Sequence, residues 1–258
     1  MVGQQVDYLS FWPSVHALRI HTRRSSEVRN GTRSVVLVHG LGVSADYMLP
    51  TLVRLTPEFN VWAPELPGFG RSDKPDHVLN IRELADTLAD WTRVIDIPSA
   101  VFVGNSMGCQ VIVDLATRYP SLIDAAVLVG PTVDTKGHSM IQQMWRGMRD
   151  LVHEPGSLWR ILARDYLRTG TLGMYRTFRF ALQDDVLSKC PSVTVPTLIV
   201  RGGKDTISPS RWVEQLASII PNSCTATIRQ GTHASNYSTP EELARLVRDF
   251  VNCQPEQS

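Results

Sequence analysis

Residues 100–109, "AVFVGNSMGC", join a short apolar run to a serine that lies between two glycines. The apolar run is typical of a buried strand, and the residues after Ser106 are typical of a helix. A side chain at such a sharp strand-to-helix turn is held in a strained backbone conformation and projects beyond the end of the strand. Gly104 and Gly108 are expected because a side chain at either position would collide with the turn. The pattern G-x-S-x-G at this boundary predicts that Ser106 is a nucleophile.

Five other short runs rich in β-branched residues predict further strands. They are continuously apolar rather than alternating, as expected for strands buried on both faces of a parallel sheet. Helical patterns lie between them, and this alternation predicts an α/β fold with a mostly parallel central sheet and helices on both faces. The six predicted strand regions are 34–40, 59–66, 99–105, 124–130, 195–203 and 224–230.

Two helix starts carry capping signals. Thr239 precedes Pro240, and Glu242 follows three residues after Thr239, which predicts a capping box at the last helix. Ser208 and Pro209 repeat the pattern of a capping residue followed by proline.

Residues 131–192 interrupt the alternation, because they contain no strand-like run. The composition predicts a helical cap, or lid, inserted into a core formed by residues 1–130 and 193–258. Met140, Met144 and Met148 are spaced to share one helix face. That face either packs internally or forms an adaptable apolar lid over a substrate pocket.

A serine nucleophile needs a base and an acid on neighbouring loops. His233 follows the last predicted strand, and Asp205 follows the one before it. Both positions are at the carboxyl ends of strands, where ligand sites of such sheets lie. The order Ser106, Asp205, His233 is one of the known orders of this catalytic triad. Asp134, in the loop after residues 124–130, is the alternative acid.

An acyl-transfer intermediate also needs two backbone N–H donors for its negative oxygen. The residue after the nucleophile, Met107, is one candidate. The other is Leu41, in the loop "HGLGVS" at residues 39–44. His39 is expected to brace this loop rather than to react.

Composition excludes several classes of function. The 258 residues have a formal net charge of +1, which gives no indication of a nucleic-acid partner. No apolar stretch approaches a membrane span or a signal peptide, so a cytoplasmic protein is expected. The four cysteines form no CxxC pair and are expected to be isolated buried thiols, with no metal site.

These motifs together resemble the α/β-hydrolase fold. The segments that carry the resemblance are "VVLVHGLG", "PELPGFGRSDKP", "GNSMG", "GGKDTISP" and "GTHASNYSTPEEL", in that order. The resemblance extends from about Leu18 to Phe250 and is weakest in residues 131–192, which this superfamily uses as a variable cap. It implies Ser106 as nucleophile, Asp205 as acid and His233 as base, with no metal or organic cofactor.

Two departures refine the resemblance. Dehalogenases and epoxide hydrolases of this superfamily have Asp at the position of Ser106, so an acyl-enzyme route is expected instead. "GNSMG" resembles the meta-cleavage-product hydrolases, which split C–C bonds, but those enzymes usually have Trp where this chain has Ala234. Several arginines of the cap could bind a substrate carboxylate or simply form a solvated helix face: Arg146, Arg149, Arg160, Arg164 and Arg168.

Three hypotheses follow for the function. The first is a carboxylesterase-like serine hydrolase (EC 3.1.1 class) acting on small to medium carboxylic esters or lactones. The second is a C–C bond hydrolase of meta-cleavage-type diketo acids. The third is a ligand-binding protein of the same fold without catalysis. The expected partner is a small-molecule ester, with no nucleic acid and no membrane span, and a homodimer is left open.

Overall fold

A computed structural model of the protein describes residues 8–132, 134, 149–150 and 152–254. Within these residues, eight strands form one sheet and two short strands form a hairpin. The described residues do not include four residues of the predicted cap that were named above: Met140, Met144, Arg146 and Met148.

The six predicted strand regions all form strands, and these six are paired in parallel. In chain order they are β5 Ser34–Val38, β6 Asn60–Pro64, β7 Ala100–Asn105, β8 Ile123–Val129, β9 Thr197–Gly202 and β10 Ser223–Ile228. Their spatial order is β6-β5-β7-β8-β9-β10. The mostly parallel sheet is therefore confirmed, and the carboxyl ends of these strands share one edge.

Four short strands before residue 34 were not predicted. Strands β1 (Tyr8–Phe11) and β4 (Thr22–Ser25) extend the sheet antiparallel beyond β6, while β2 (Ser14–Val15) and β3 (Leu18–Arg19) form the separate hairpin. Their burial is partial, so they lack the continuous apolar runs that mark the central strands.

Helices cover both faces of the sheet, as predicted. The bounds of the described helices are α1 Leu49–Leu55, α2 Ile81–Val94, α3 Met107–Arg118, α4 Gly156–Thr169, α5 Thr171–Gln183, α6 Val186–Lys189, α7 Ser210–Ile219, α8 Ser235–Ser238 and α9 Pro240–Asn252. One hydrophobic cluster joins Val36, Val38 and Phe102 to the helices α2, α3 and α7, and a second joins Val35 and Leu37 to α1 and α9. Successive strand residues point to opposite faces, so both sides of β5 are buried.

The predicted capping of two helices was wrong in detail. The Thr239 hydroxyl donates to the carbonyl of Ser235 (3.2 Å), one turn back, so it makes no capping bond to α9. Helix α7 begins at Ser210, so Pro209 and not Ser208 occupies the capping position. A capping box does form at α2, where Asn80 and Glu83 exchange hydrogen bonds between side chain and backbone.

The cysteines divide into two kinds. Cys109 and Cys190 are buried, as expected. Cys224 lies in the edge strand β10 and Cys253 follows the last helix, and both are exposed, so the expectation of burial was wrong for them. Among the described helices, none has the length and hydropathy needed to cross a membrane.

Candidate active site

Ser106 lies at the sharp turn between β7 and α3, with a φ of +57°. A Cβ atom added to Gly104 would come within 2.8 Å of the Gly108 backbone, and one added to Gly108 within 2.4 Å of the Val38 carbonyl oxygen. Both glycines are therefore required for the close approach of the turn to its neighbours, as predicted. The Ser106 N–H donates to the carbonyl of Val129 (3.0 Å), which fixes the turn against β8.

His233 and Asp205 come together from two loops at the same edge of the sheet. Nδ1 of His233 lies 3.0 Å from Oδ2 of Asp205. The other carboxylate oxygen, Oδ1, accepts the N–H groups of Ile207 (2.7 Å) and Ser208 (2.8 Å), so the carboxylate is held from both sides. The Nδ1 proton is directed to Asp205, which leaves Nε2 of His233 as the acceptor nitrogen.

Gly130, directly after β8, makes room for this pair. Its φ is +54°, and an added Cβ atom would lie 3.0 Å from both Oδ2 of Asp205 and Nδ1 of His233. No motif in the sequence pointed to this glycine.

Asn105, next to the nucleophile, connects three parts of the site. Its Oδ1 accepts from the Tyr47 hydroxyl (2.9 Å), and its Nδ2 donates to the carbonyls of His233 (2.9 Å) and Val129 (3.2 Å). All three hydrogen bonds join segments far apart in the chain, so the sequence alone gave no signal for Tyr47. In the sequence, Asn105 occupies the first variable position of the G-x-S-x-G pattern, which by itself predicts no contact.

The loop after β5 is braced by His39, as expected. Nε2 accepts the N–H of Leu66 (2.9 Å), so Nδ1 carries the proton that is donated to the carbonyl of Gly40 (2.8 Å). Burial lowers the pKa of His39, which keeps the ring neutral. The two candidate oxyanion residues, Leu41 in this loop and Met107 at the start of α3, line the same cavity as Ser106.

The alternative acid, Asp134, lies elsewhere. It is buried and pairs with the guanidinium of Arg211 on α7. The structure therefore places Asp205, and not Asp134, against the histidine ring.

A cavity of about 510 Å³ opens above Ser106 and His233. Helices α4 and α5, from the predicted cap, supply much of its wall. Its apolar and aromatic lining includes Val43, Tyr47, Leu158, Trp159, Leu162, Tyr166, Phe178 and Ile207.

Two carboxyl groups in this wall, Asp150 and Glu154, were not singled out by the sequence analysis. Burial raises the pKa of Asp150, and it raises the pKa of Glu154 to about 7, with the charge of Asp150 adding to the effect. Burial by itself would lower the pKa of His233, but Asp205, followed by Asp150 and Glu154, outweighs it and raises that pKa to about 9. The imidazolium form is thus stabilised by three surrounding carboxyl groups.

The described arginines named above for the predicted cap do not line this wall: Arg149, Arg160, Arg164 and Arg168. Arg164, on α4, pairs with Asp46 (2.9 Å) and Asp165 (2.8 Å), and Arg160 and Arg168 are exposed. None of the described residues that line the cavity is an arginine or a lysine. Of the two alternatives for these arginines, the solvated helix face fits Arg160 and Arg168, whereas the guanidinium of Arg164 is occupied by two acidic side chains.

A family comparison agrees with this architecture. The model of the "Alpha/beta hydrolase family" matches residues 35–246, and the chain belongs to that family. The predicted resemblance is confirmed.

The relatives include several kinds of hydrolase. A pimeloyl-[acyl-carrier protein] methyl ester esterase of Photorhabdus laumondii is 23% identical, over 86% of this chain and 93% of the relative. A 2-(acetamidomethylene)succinate hydrolase of Mesorhizobium japonicum is 22% identical, over 84% of this chain and 87% of the relative. The crystal structure of an enol-lactonase from Burkholderia xenovorans LB400 superposes with a TM-score of 0.79 at 21% identity, covering 95% of this chain and all of that one. At this identity the superposition shows the fold alone.

Proposed function

We propose that this member of the hydrolase family cleaves carboxylic esters or lactones through an acyl-enzyme on Ser106. The observation that carries the proposal is the shared cavity: the serine at the strained turn and the hydrogen-bonded His233–Asp205 pair face it together. A methyl ester esterase among the relatives supports this class of substrate.

The proposed mechanism assigns one role to each group. Ser106 Oγ attacks the carbonyl carbon while Nε2 of His233 takes its proton, and Asp205 holds the ring and stabilises the imidazolium. The N–H groups of Leu41 and Met107 donate to the negative oxygen of the tetrahedral intermediate. His233 then protonates the leaving alcohol, and a water molecule activated by the same nitrogen releases the acid.

We propose further that residues 131–192 form a cap over this cavity. Helices α4 and α5 line the same cavity as Ser106, through Leu158, Trp159 and Phe178. The size and shape of the acyl pocket would then be set by this segment.

The C–C hydrolase hypothesis is less well supported by the site. A diketo acid carries at least one carboxylate, which usually requires a cationic partner when it is buried. The described lining offers carboxyl groups instead. A meta-cleavage dienoate should therefore keep its absorbance in the presence of the enzyme, while simple esters are hydrolysed.

The test is the initial rate on p-nitrophenyl esters from acetate to decanoate. Ser106→Ala should lower kcat by about 10⁴-fold or more, as removal of a triad nucleophile does. Ser218→Ala, at an exposed serine of α7, is the matched control and should leave the rate unchanged. Equal rates for wild type and Ser106→Ala would overturn the proposal, and failure of a fluorophosphonate probe to label Ser106 would favour the non-catalytic hypothesis.

A further inference from the structure

Asp150 and Glu154 lie in the cavity wall directly beside the candidate base and acid. Oε1 of Glu154 accepts the N–H of Ala234 (2.9 Å), and Oδ1 of Asp150 accepts the N–H of Thr206 (3.3 Å). Each carboxyl group thus contacts the residue that follows one member of the histidine–aspartate pair. These bonds position the two carboxyl groups but use only one oxygen of Glu154.

The second oxygen of Glu154, Oε2, is buried and accepts no hydrogen bond from the residues that the structure describes, and the side chains of Asp150 and Thr232 lie near this carboxyl group. The side chain belongs to the cavity lining, and the residue is only 9% exposed. A buried carboxylate oxygen without a partner is costly, so a ligand that supplies positive charge or a donor there would be favoured.

The remaining wall is suited to the same kind of ligand. Trp159, Tyr166 and Phe178 contribute aromatic rings, whose faces attract cations. No arginine or lysine of the described residues lines the cavity, and the one titratable cation among the described lining residues, His233, is already paired with Asp205.

From these features we infer that the cavity is specific for esters that carry an ammonium group, with Asp150 and Glu154 as the residues that bind it. The inference rests on the proposed function. It assigns Glu154 Oε2 as the point of charge recognition and the aromatic rings as the surface around the cation. An isosteric neutral ester would lose the charge interaction, and an ester with a carboxylate would be repelled.

The test compares two substrates of the same shape. Choline esters and 3,3-dimethylbutyl esters differ only in that a neutral carbon replaces the quaternary nitrogen. For the wild type, we expect kcat/KM for the choline ester to exceed that for the neutral ester by about tenfold or more, as one charge interaction at close range implies. A hemisuccinate ester should be the poorest of the three.

Two variants isolate the charge. Glu154→Gln and Asp150→Asn each keep an oxygen that can accept the backbone N–H, so the loops remain bonded while the negative charge is lost. Either variant should reduce the ratio of kcat/KM for the choline ester to kcat/KM for the neutral ester severalfold. The value of kcat/KM for the neutral ester should change less than that for the choline ester. Glu214→Gln, at an exposed glutamate of α7 outside the lining, is the matched control and should leave the ratio unchanged.

The outcomes separate this inference from the proposed function. If both esters were hydrolysed with similar kcat/KM values, the inferred charge recognition would be overturned, while the proposed esterase activity would stand. The same conclusion would follow if neither variant changed the ratio of the two kcat/KM values. If the protein hydrolyses no ester, calorimetry with choline and 3,3-dimethylbutanol decides the matter. Tighter binding of choline that is lost in Glu154→Gln would then support the cation site alone, and equal binding would overturn it.

Discussion

Gly130→Ala should impair catalysis by displacing the histidine–aspartate pair. The added methyl group would lie 3.0 Å from Asp205 Oδ2 and from His233 Nδ1. Ordinary contacts of carbon with such atoms are about 3.5 Å, so the pair must move by about 0.5 Å. Asp205 is fixed by two backbone N–H groups, and the displacement therefore falls mainly on the imidazole.

The size of the effect has two separable parts. A displacement of about 1 Å costs on the order of 100-fold in rate, so about 0.5 Å should cost about tenfold in kcat. The backbone adds a stability cost, since alanine at a φ of +54° is disfavoured by roughly 1–2 kcal/mol, offset in part by the lower entropy of the unfolded chain. We expect a net loss of about 1 kcal/mol in the free energy of unfolding.

Gly31→Ala provides the matched control. Gly31 has a φ of +72°, but its added Cβ would have no atom within 4 Å. Urea unfolding should show a similar loss of stability in both variants, whereas p-nitrophenyl ester kinetics should show a loss of kcat only for Gly130→Ala. If Gly130→Ala kept the wild-type kcat, the close packing of this glycine against the pair would have no catalytic role.

Two further changes test the charges around the site. Glu154→Gln removes a carboxylate that helps to raise the pKa of His233 to about 9. Because His233 acts as a base in its neutral form, the acid limb of the pH profile of kcat/KM for a neutral ester should move to lower pH. An unchanged acid limb would contradict the role of Glu154 in raising this pKa. Arg164→Ala should lower the free energy of unfolding by about 3 kcal/mol in urea titrations, since it leaves the fully buried Asp165 without its guanidinium partner. Arg164→Ala combined with Asp165→Asn should recover part of that loss, whereas additive losses would exclude coupling between the two side chains.

The sequence predicted those features whose residue patterns lie within short stretches of the chain. The run 100–109 contains both the buried strand and the glycines of the turn, and the six parallel strands are visible as continuous apolar segments. Positions at the ends of such strands follow from topology, so Asp205 and His233 could be placed at one edge of the sheet. Their pairing at 3.0 Å agrees with that placement.

The features that were missed depend on contacts between distant segments. Tyr47 reaches Asn105, and Glu154 reaches Ala234, only after the loops are assembled. The strands at residues 8–25 were missed because half-buried antiparallel strands lack a continuous apolar run. For Arg164, composition could not show that acidic side chains occupy its guanidinium.

The charges around His233 give the proposed cation a second effect. In the free protein Asp205, Asp150 and Glu154 stabilise the imidazolium, which cannot act as a base. A bound ammonium group would offset the same carboxylates and lower the pKa of His233, so a cationic substrate would activate its own base. For a choline ester the acid limb of kcat, which reports the complex, should then lie about one pH unit or more below that of kcat/KM, which reports the free protein. For the 3,3-dimethylbutyl ester, the acid limb of kcat should coincide with that of kcat/KM. If the two limbs were separated by the same amount for both esters, the charge of the substrate would not affect the pKa of His233.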